Sequence, residues 1–408
     1  MNLVDGKYLT TRECDPVLDG LDERIVATLR KTRLDREKVI MACDRLVTGL
    51  DESFYLAKMD SLGISGALAR RYIADARNLF CADALHKRLR IELGDGDMVQ
   101  PLGTLLHIAA GNVDGLPAFS VLEGLLTGNI NILKLPAGDG GISAELLAEL
   151  IREEPVLAEY VYVFDYSSRD TEHIAKLLKA ADAVVVWGGD EAVASLRRMV
   201  KPNTKLIEWG HKVSFGYVTQ KGLSDTGLAG FARNIAETRQ SLCSSCQGIY
   251  LDTNDMNEIY ALCERFLPLL ERQIAGSLTI NEASQAALEL YTMSLEATPA
   301  NKRVFQGNGC GVIAQDDSRA EPASAPYVPW VKPLPRENII SALHPYKNHL
   351  QTIGLLCWED ERNVMTNELF KTGVVRITTG ERMSYAGANM PHDGEYPLRR
   401  YVKVVNTD

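Results

Sequence analysis

The chain has 408 residues, 46% of them hydrophobic and 24% charged, with a formal net charge of −10. That length exceeds what one hydrophobic core usually organises, so two domains are expected, in a composition ordinary for a soluble globular protein. An acidic chain lacks the basic surface that nucleic acid or an anionic membrane would call for, which excludes both as main partners.

The opening residues, Met1 to Tyr8, carry no positive head followed by an apolar run, and no stretch of about 18 apolar residues occurs. Neither a secretory signal nor a membrane span is expected, and the protein reads as cytoplasmic. Residues 1–98 are charge-dense, with apolar residues every three to four positions, as in 21–31 and 66–80. This pattern fits a helical segment packed on the next domain, and no chemistry is marked in it.

From 99 to 219, short β-branched runs alternate with amphipathic stretches. Strands are expected at 105–108, 130–133, 161–164, 183–186, 206–208 and 213–218. Helices are expected near 117–126, 143–152, 171–180 and 190–199, with Thr171 and Asp190 as N-caps. Strands joined through helices imply right-handed crossovers and a parallel sheet covered on both faces, the doubly wound architecture of a dinucleotide-binding domain.

Within it, the first strand ends in Ile108, Ala109 and Ala110, and then comes Asn112, a side chain able to donate to a developing oxyanion. The next carries Lys134 at its C-terminal end, shortly before Pro136, at the edge where open α/β sheets bind ligands. An Asn turn and a solvated Lys are the plain alternatives. At 183–192 a strand runs through Gly188-Gly189 into a helix, a place for close backbone approach. The run is not GxGxxG, and Asp190 and Glu191 would repel a pyrophosphate docked there, so a turn and a cofactor loop stay equally open.

Cys243 stands among small hydroxyl residues in Ser241-Leu-Cys-Ser-Ser-Cys246-Gln-Gly248, and Glu208 precedes it by 35 positions in Ile207-Glu-Trp-Gly-His-Lys212. A thiolate attacks a carbonyl, and a carboxylate takes a proton from thiol or water, so the pair has the makings of a covalent thioester or thiohemiacetal enzyme. The plain alternatives are a core thiol at Cys243 and, for Glu208, pairing with His211 or Lys212. The Cys243-x-x-Cys246 spacing also serves zinc sites and redox dithiols, but no second pair or His cluster accompanies it, so no metal is expected. The eight cysteines are scattered, which in a reducing compartment means free thiols.

Residues 220–385 read as an α/β catalytic domain with helices near 225–240, 255–273 and 282–295 and a strand at 312–313 after a glycine turn at 307–311. The proline-rich run 322–335 is expected to form neither regular helix nor central strand. It reads as a rigid connection, or as a loop whose Tyr327 and Trp330 wall an acyl tunnel. Residues 386–408 end in an alternating strand expected to leave the domain and pair with a partner subunit.

Taken in order, these segments resemble the aldehyde dehydrogenase superfamily and, within it, the LuxC-type acyl-CoA reductases, over about residues 99–408. Gly111-Asn112 is similar to the superfamily's oxyanion Asn. Gly128-Asn129 with Lys134-Leu-Pro136 is similar to its adenosine-ribose segment, and Trp187-Gly-Gly-Asp-Glu191 to the glycine segment beneath the cofactor. Glu208-Trp-Gly210-His-Lys212 resembles the general-base motif, and Cys243 falls at the nucleophile's distance from it. Leu350-Gln351-Thr-Ile-Gly354 stands where ordinary members have Glu-x-x-Gly on the nicotinamide ribose. The LuxC character rests on Cys243-Ser-Ser with Gln247, on Trp-Gly-Gly-Asp-Glu and on Gln351. Cys246 departs from the Pro common there, which opens an inhibitory disulfide with Cys243.

The resemblance implies an aldehyde-dehydrogenase-like α/β fold and reduction of an acyl-CoA or acyl-protein thioester to an aldehyde through acyl-Cys243. Asn112 and the Cys243 N–H would hold the oxyanion, Glu208 would move protons, and Ile108, Ala109, Ala110, Lys134, Pro136, Gly188, Gly189, Gly210 and Gln351 would hold the cofactor. NADPH is favoured over NADH, because Ala137 stands where NAD-preferring relatives carry a ribose-binding Glu, although Asp139 could interfere. A homo-oligomer is implied, and His392 falls in a segment similar to one lining the active site. Two alternatives stay open: NAD(P)-dependent oxidation of an aldehyde to an acid, and a non-redox acyl-carrier subunit.

Overall fold

The computed structural model describes residues 1–31, 33–61, 64, 66–94, 98–109, 115–296, 302–387 and 390–406. The chain forms two compact units, one of Met1–Leu62, Arg71–Gly210 and Ala386–Asp408, the other of Gly63–Arg70 and His211–Tyr385.

In the first unit, strands β1 (Asn2–Val4) and β2 (Lys7–Leu9) form a hairpin. Asp5 and Gly6 at its turn have φ of 52° and 70°, the double positive φ of an Asp-Gly type I′ turn. After the short β3 (Val99–Pro101) come β4 (Thr104–Ile108), β5 (Ile130–Lys134), β6 (Val161–Phe164), β7 (Ala183–Trp187) and β8 (Lys205–Trp209). The sheet order is β2-β1-β6-β5-β4-β7-β8, parallel from β6 to β8, with the hairpin antiparallel on β6 through Leu3 and Val163. Helices Leu116–Leu126, Ile142–Glu153, Thr171–Ala180 and Asp190–Met199 make the crossovers. Their caps differ from expectation. Asp170, not Thr171, accepts the His173 N–H, and the last helix starts from Gly189 without a side-chain cap.

The strand order turns back between β4 and β7, the switch point at which doubly wound sheets take ligands. Strands β4 to β7 are mostly apolar runs because both faces are covered. One buried exception is His107 on β4, with Nδ1 2.7 Å from Ser120 Oγ and Nε2 3.0 Å from Asn131 Oδ1. Burial holds its pKa down to about 4.

The C-terminal residues do not leave their unit. Strand β16 (Val402–Val404) pairs antiparallel with β3 of the same chain, Val402 opposite Pro101 and Val404 opposite Val99.

The second unit holds β9 (Val213–Val218), β10 (Cys246–Leu251), β11 (Lys302–Gln306), β12 (Gly311–Gln315), β13 (Trp330–Pro333), β14 (Leu350–Leu356) and β15 (Arg376–Thr378), in the order β11-β12-β13-β10-β9-β14-β15. Two expectations are corrected here. Strand β9 belongs to this sheet and not to the nucleotide-binding one: only residues 210–212 separate it from β8, too few for a parallel crossover. And the proline-rich run does contain an interior strand. Trp330, Val331 and Lys332 supply its ladder, while Pro329 and Pro333 fall at its two ends, where a missing N–H costs least. Helices Asp225–Thr238 and Met256–Ile274 cover one face of this sheet, and Ile339–Leu343 and Glu359–Phe370 the other. None of the described helices is long and apolar enough to cross a membrane.

Candidate active site

In the first unit the expected cofactor residues collect on one edge. Lys134, Ile108, Val186 and Glu208 stand side by side in register across β5, β4, β7 and β8 at their C-terminal ends. Ala109, Pro136, Gly188, Gly189 and Gly210 follow these strands directly or within two residues, while Ala110 and Asn112 lie outside the described residues. A methyl group added at Gly189 or Gly210 would meet nothing within 4 Å, and neither residue has positive φ. Neither packing nor backbone requires glycine there, whereas the close approach of a dinucleotide would. The residues present therefore fit such a cofactor.

Lys134 is 4% exposed and donates to Ser168 Oγ at 2.7 Å. Burial lowers its pKa, against the opposing pull of Asp165. Asp139, the carboxylate that could have opposed a 2′-phosphate, is turned into the first turn of helix Ile142–Glu153. Its oxygens take the Ser143 N–H at 3.1 Å and the Ser143 hydroxyl at 2.5 Å, and burial raises its pKa.

Glu208 accepts Arg197 Nε and Nη2, both at 2.5 Å, in a bidentate pair, so its partner is neither His211 nor Lys212. The Arg197 side chain is 65% exposed, and a pair so open to water is readily released. His392 lies 5.2 Å from both Trp187 and Trp209, the stacked residues that end β7 and β8.

The first unit also contains an apolar cavity of about 240 Å³. It lies between helices Arg36–Gly49, Glu52–Ser61 and the later turns of Gly66–Phe80 on one side and Leu116–Leu126 and Ile142–Glu153 on the other. Val47, Tyr55, Ile73, Ala118, Phe119 and Leu146 are among its walls. Sequence reading marked no chemistry in 1–98, although the helical apolar spacing at 72–80 is the signal of one wall.

In the second unit, helix Asp225–Thr238 ends on two consecutive left-handed residues, Arg239 and Gln240, with φ of 55° and 57°. Each such residue costs roughly 1–3 kcal/mol and persists only where its surroundings hold it. Here they do. Arg239 pairs with the wholly buried Glu282. The Gln240 amide donates to the Cys246 and Gln247 carbonyls at 3.0 and 3.2 Å and accepts the Val328 N–H at 3.2 Å. Gln247 returns a bond to the Gln240 carbonyl and accepts the Ala323 N–H. The reversal delivers a tight turn, Leu242 to Ser245, closed by Ser245 N–H on the Leu242 carbonyl and by Leu242 N–H on Ser245 Oγ, both at 3.0 Å. Cys243 and Ser244 form its tip.

Two contacts fix Cys243 against the sheet. Ser214 Oγ on β9 donates to its carbonyl at 2.7 Å and accepts the Thr352 N–H of β14 at 3.0 Å. The Gln351 amide, also on β14, donates to its sulfur at 3.1 Å. The ladders on either side of β9 shift register at this level, between Cys246 and Ile249 and between Leu350 and Ile353. Such irregularities re-aim side chains beside active sites, and here the Ser214 hydroxyl takes the N–H of Thr352 within the shifted stretch of β14. No sequence signal pointed to Ser214. Gly354 of the same motif answers to packing, since a Cβ there would lie 2.4 Å from the Phe231 ring.

Cys246 is buried where Cys243 is partly exposed. Its sulfur is sealed from solvent and donates to the Gly248 carbonyl at 3.3 Å, its N–H goes to Asn234 Oδ1 at 2.8 Å, and burial pushes its pKa up to about 12.

Solved structures share this architecture. An NAD-dependent aldehyde dehydrogenase from Sinorhizobium meliloti matches 99% of this chain and 93% of its own with a TM-score of 0.77 at 14% identity. A 3,6-anhydro-L-galactose dehydrogenase matches 99% and 98% with a TM-score of 0.72 at 14% identity. The fold is therefore that of the aldehyde dehydrogenases. Among curated proteins, the long-chain acyl-protein thioester reductase of Aliivibrio fischeri is 25% identical over 371 residues, 85% of this chain and 75% of that protein. The one from Vibrio harveyi is 25% identical over 320 residues, 75% of this chain and 64% of that protein. The profile of the family described as acyl-CoA reductase (LuxC) matches residues 90–404, and the chain belongs to that family of oxidoreductases.

Proposed function

We propose that the chain reduces a long-chain acyl thioester, on coenzyme A or on a protein, to the aldehyde through an acyl-Cys243 intermediate. The observation that carries this reading is the contrast between two thiols three residues apart: Cys243 at the tip of a braced turn, Cys246 shut into a strand. In the reaction the Cys243 thiolate attacks the thioester carbonyl, the oxyanion is held by the Cys243 N–H and Asn112, and the carrier thiol leaves with a proton. Glu208, once released from Arg197, moves that proton. Lys134, Gly188, Gly189 and Gly210 would hold a nicotinamide cofactor, which when bound supplies the hydride for the acyl carbon. Collapse of the resulting thiohemiacetal anion frees the aldehyde and returns the Cys243 thiolate.

NADPH is the favoured reductant. Lys134 supplies a cation at the sheet edge, Ala137 supplies no carboxylate, and both Asp139 oxygens are taken by Ser143. The cavity in the first unit supports an aliphatic donor. A methylene fills about the volume of a liquid water, about 30 Å³, so the space holds on the order of eight carbons.

Mass spectrometry of the protein mixed with acyl-CoAs of several lengths, beside Cys243→Ala, tests the proposal. An acyl adduct on Cys243 that NADPH discharges is expected. Acylation that persists in the variant would remove Cys243 from the role, and an adduct indifferent to NADPH would favour an acyl carrier.

A further inference from the structure

We propose that Gln351 is a catalytic residue in its own right, the donor that holds Cys243 as a thiolate before any cofactor or substrate binds. The inference rests on the reading of Cys243 as the nucleophile. Gln351 is 6% exposed on β14, and its Nε2 points a hydrogen at Cys243 Sγ across 3.1 Å. A carboxamide N–H stabilises S⁻ far more than S–H, because the bond is charge-assisted only when the sulfur is ionised. The thiol proton passes to solvent.

Strand β14 also holds the other end of Cys243. The next residue, Thr352, gives its N–H to Ser214 Oγ, which gives its own proton to the Cys243 carbonyl. Sulfur and carbonyl are thus both referenced to two adjacent residues of one buried strand, so the N–H···S geometry does not depend on the loop alone.

Several charged groups on neighbouring elements have partners of their own. Arg239, at the end of helix Asp225–Thr238, pairs with Glu282. Arg376 on β15 donates to the carbonyls of Arg382, Met383 and Tyr385. Lys212 donates to the Asn348 carbonyl, and His349 Nδ1 meets the His211 carbonyl. Arg233 and Glu237 lie on the preceding helix. A neutral donor suits this place for a further reason: a carboxylate of the same shape would set a second negative charge against the thiolate.

The test follows the pH dependence of Cys243 alkylation by iodoacetamide, read by peptide mass spectrometry on the full chain without cofactor or thioester. Wild type is expected to titrate below the value of about 8.5 of a free thiol. Gln351→Met keeps the size and removes the donor, and its midpoint should rise by about one unit, a tenfold loss of thiolate at any pH below both midpoints. Gln351→Glu keeps the size and adds the charge, and its midpoint should rise by about two units. A wild-type midpoint at or above 8.5, or variants within about 0.3 unit of wild type, would overturn the proposal. So would variants that weaken NADPH binding while the alkylation midpoint stays fixed, since Gln351 would then act on the cofactor alone. Failure of Cys243 as nucleophile is read separately, as absence of the acyl adduct.

Discussion

Ser214→Ala isolates the brace beneath the nucleophile. The hydroxyl is wholly buried and serves two bonds, to the Cys243 carbonyl at 2.7 Å and from the Thr352 N–H at 3.0 Å. Removing it forfeits two hydrogen bonds and leaves a buried N–H without its acceptor. At about 1 kcal/mol for the bond to the Cys243 carbonyl and about 1–3 kcal/mol for the orphaned Thr352 N–H, the loss should be about 2–4 kcal/mol. That is a large share of the roughly 5–15 kcal/mol that holds a typical domain together. The change in shape is one oxygen atom, so the fold should survive and the turn should loosen. Urea unfolding would read the stability, and the rate of Cys243 acylation would read the position, with a fall of about a hundredfold for a displacement near 1 Å. A variant within about 0.5 kcal/mol of wild type with unchanged acylation would refute the claim that Ser214 positions the nucleophile.

Cys246→Ala should leave Cys243 acylation intact. Mild oxidation of wild type should give no Cys243–Cys246 bridge on peptide mapping, because a thiol pushed up to about 12 supplies almost no thiolate near neutrality; a bridge forming at pH 7.5 would contradict this. His107 stays neutral in the fold down to about pH 4, whereas the unfolded chain takes its proton near 6.5. The unfolded state therefore binds the extra proton first as pH falls from 6.5 to 4, and His107 should cost about 3 kcal/mol of stability across that window. His107→Gln should flatten the decline in urea midpoint, and an unaltered slope would place its cause elsewhere. Ala76→Trp, which fills the first unit's cavity, should weaken binding of a dodecanoyl thioester about tenfold or more and spare a butanoyl one. Equal effects on both would separate the cavity from the acyl chain.

Strong local periodicity makes the parallel strands β4 to β7 and their crossover helices legible, since these runs are mostly apolar and each is followed by a helical stretch. The β1–β2 hairpin has its signature in the Asp5-Gly6 pair, which suits the double positive φ of its turn. The assignment of β9 failed because a hydrophobic run does not state its sheet. The three-residue link to β8 held the missing information. The proline-rich strand is hidden by composition, because its prolines fall at the ends of the ladder and not within it.

Within the candidate site, Cys243 and the sheet-edge residues followed from motif order. What could not be read were the contacts made by residues with no local signature. Ser214, Asn234 and Gln240 act through bonds to residues 138, 12 and 6 positions away. The Leu350–Gly354 motif marks Gln351 for the cofactor, and its contact with the Cys243 sulfur has no signature in the sequence.

The central claim is that hydride reaches a carbonyl carried on Cys243. A single turnover of acylated enzyme with 4-deuterated NADPH, analysed by mass spectrometry of the organic product, tests it most directly. One deuterium at C1 of an aldehyde, released in equal amount to the thiol of the donor, is the predicted result. Free acid without deuterium, or aldehyde formed equally by Cys243→Ser, would contradict it.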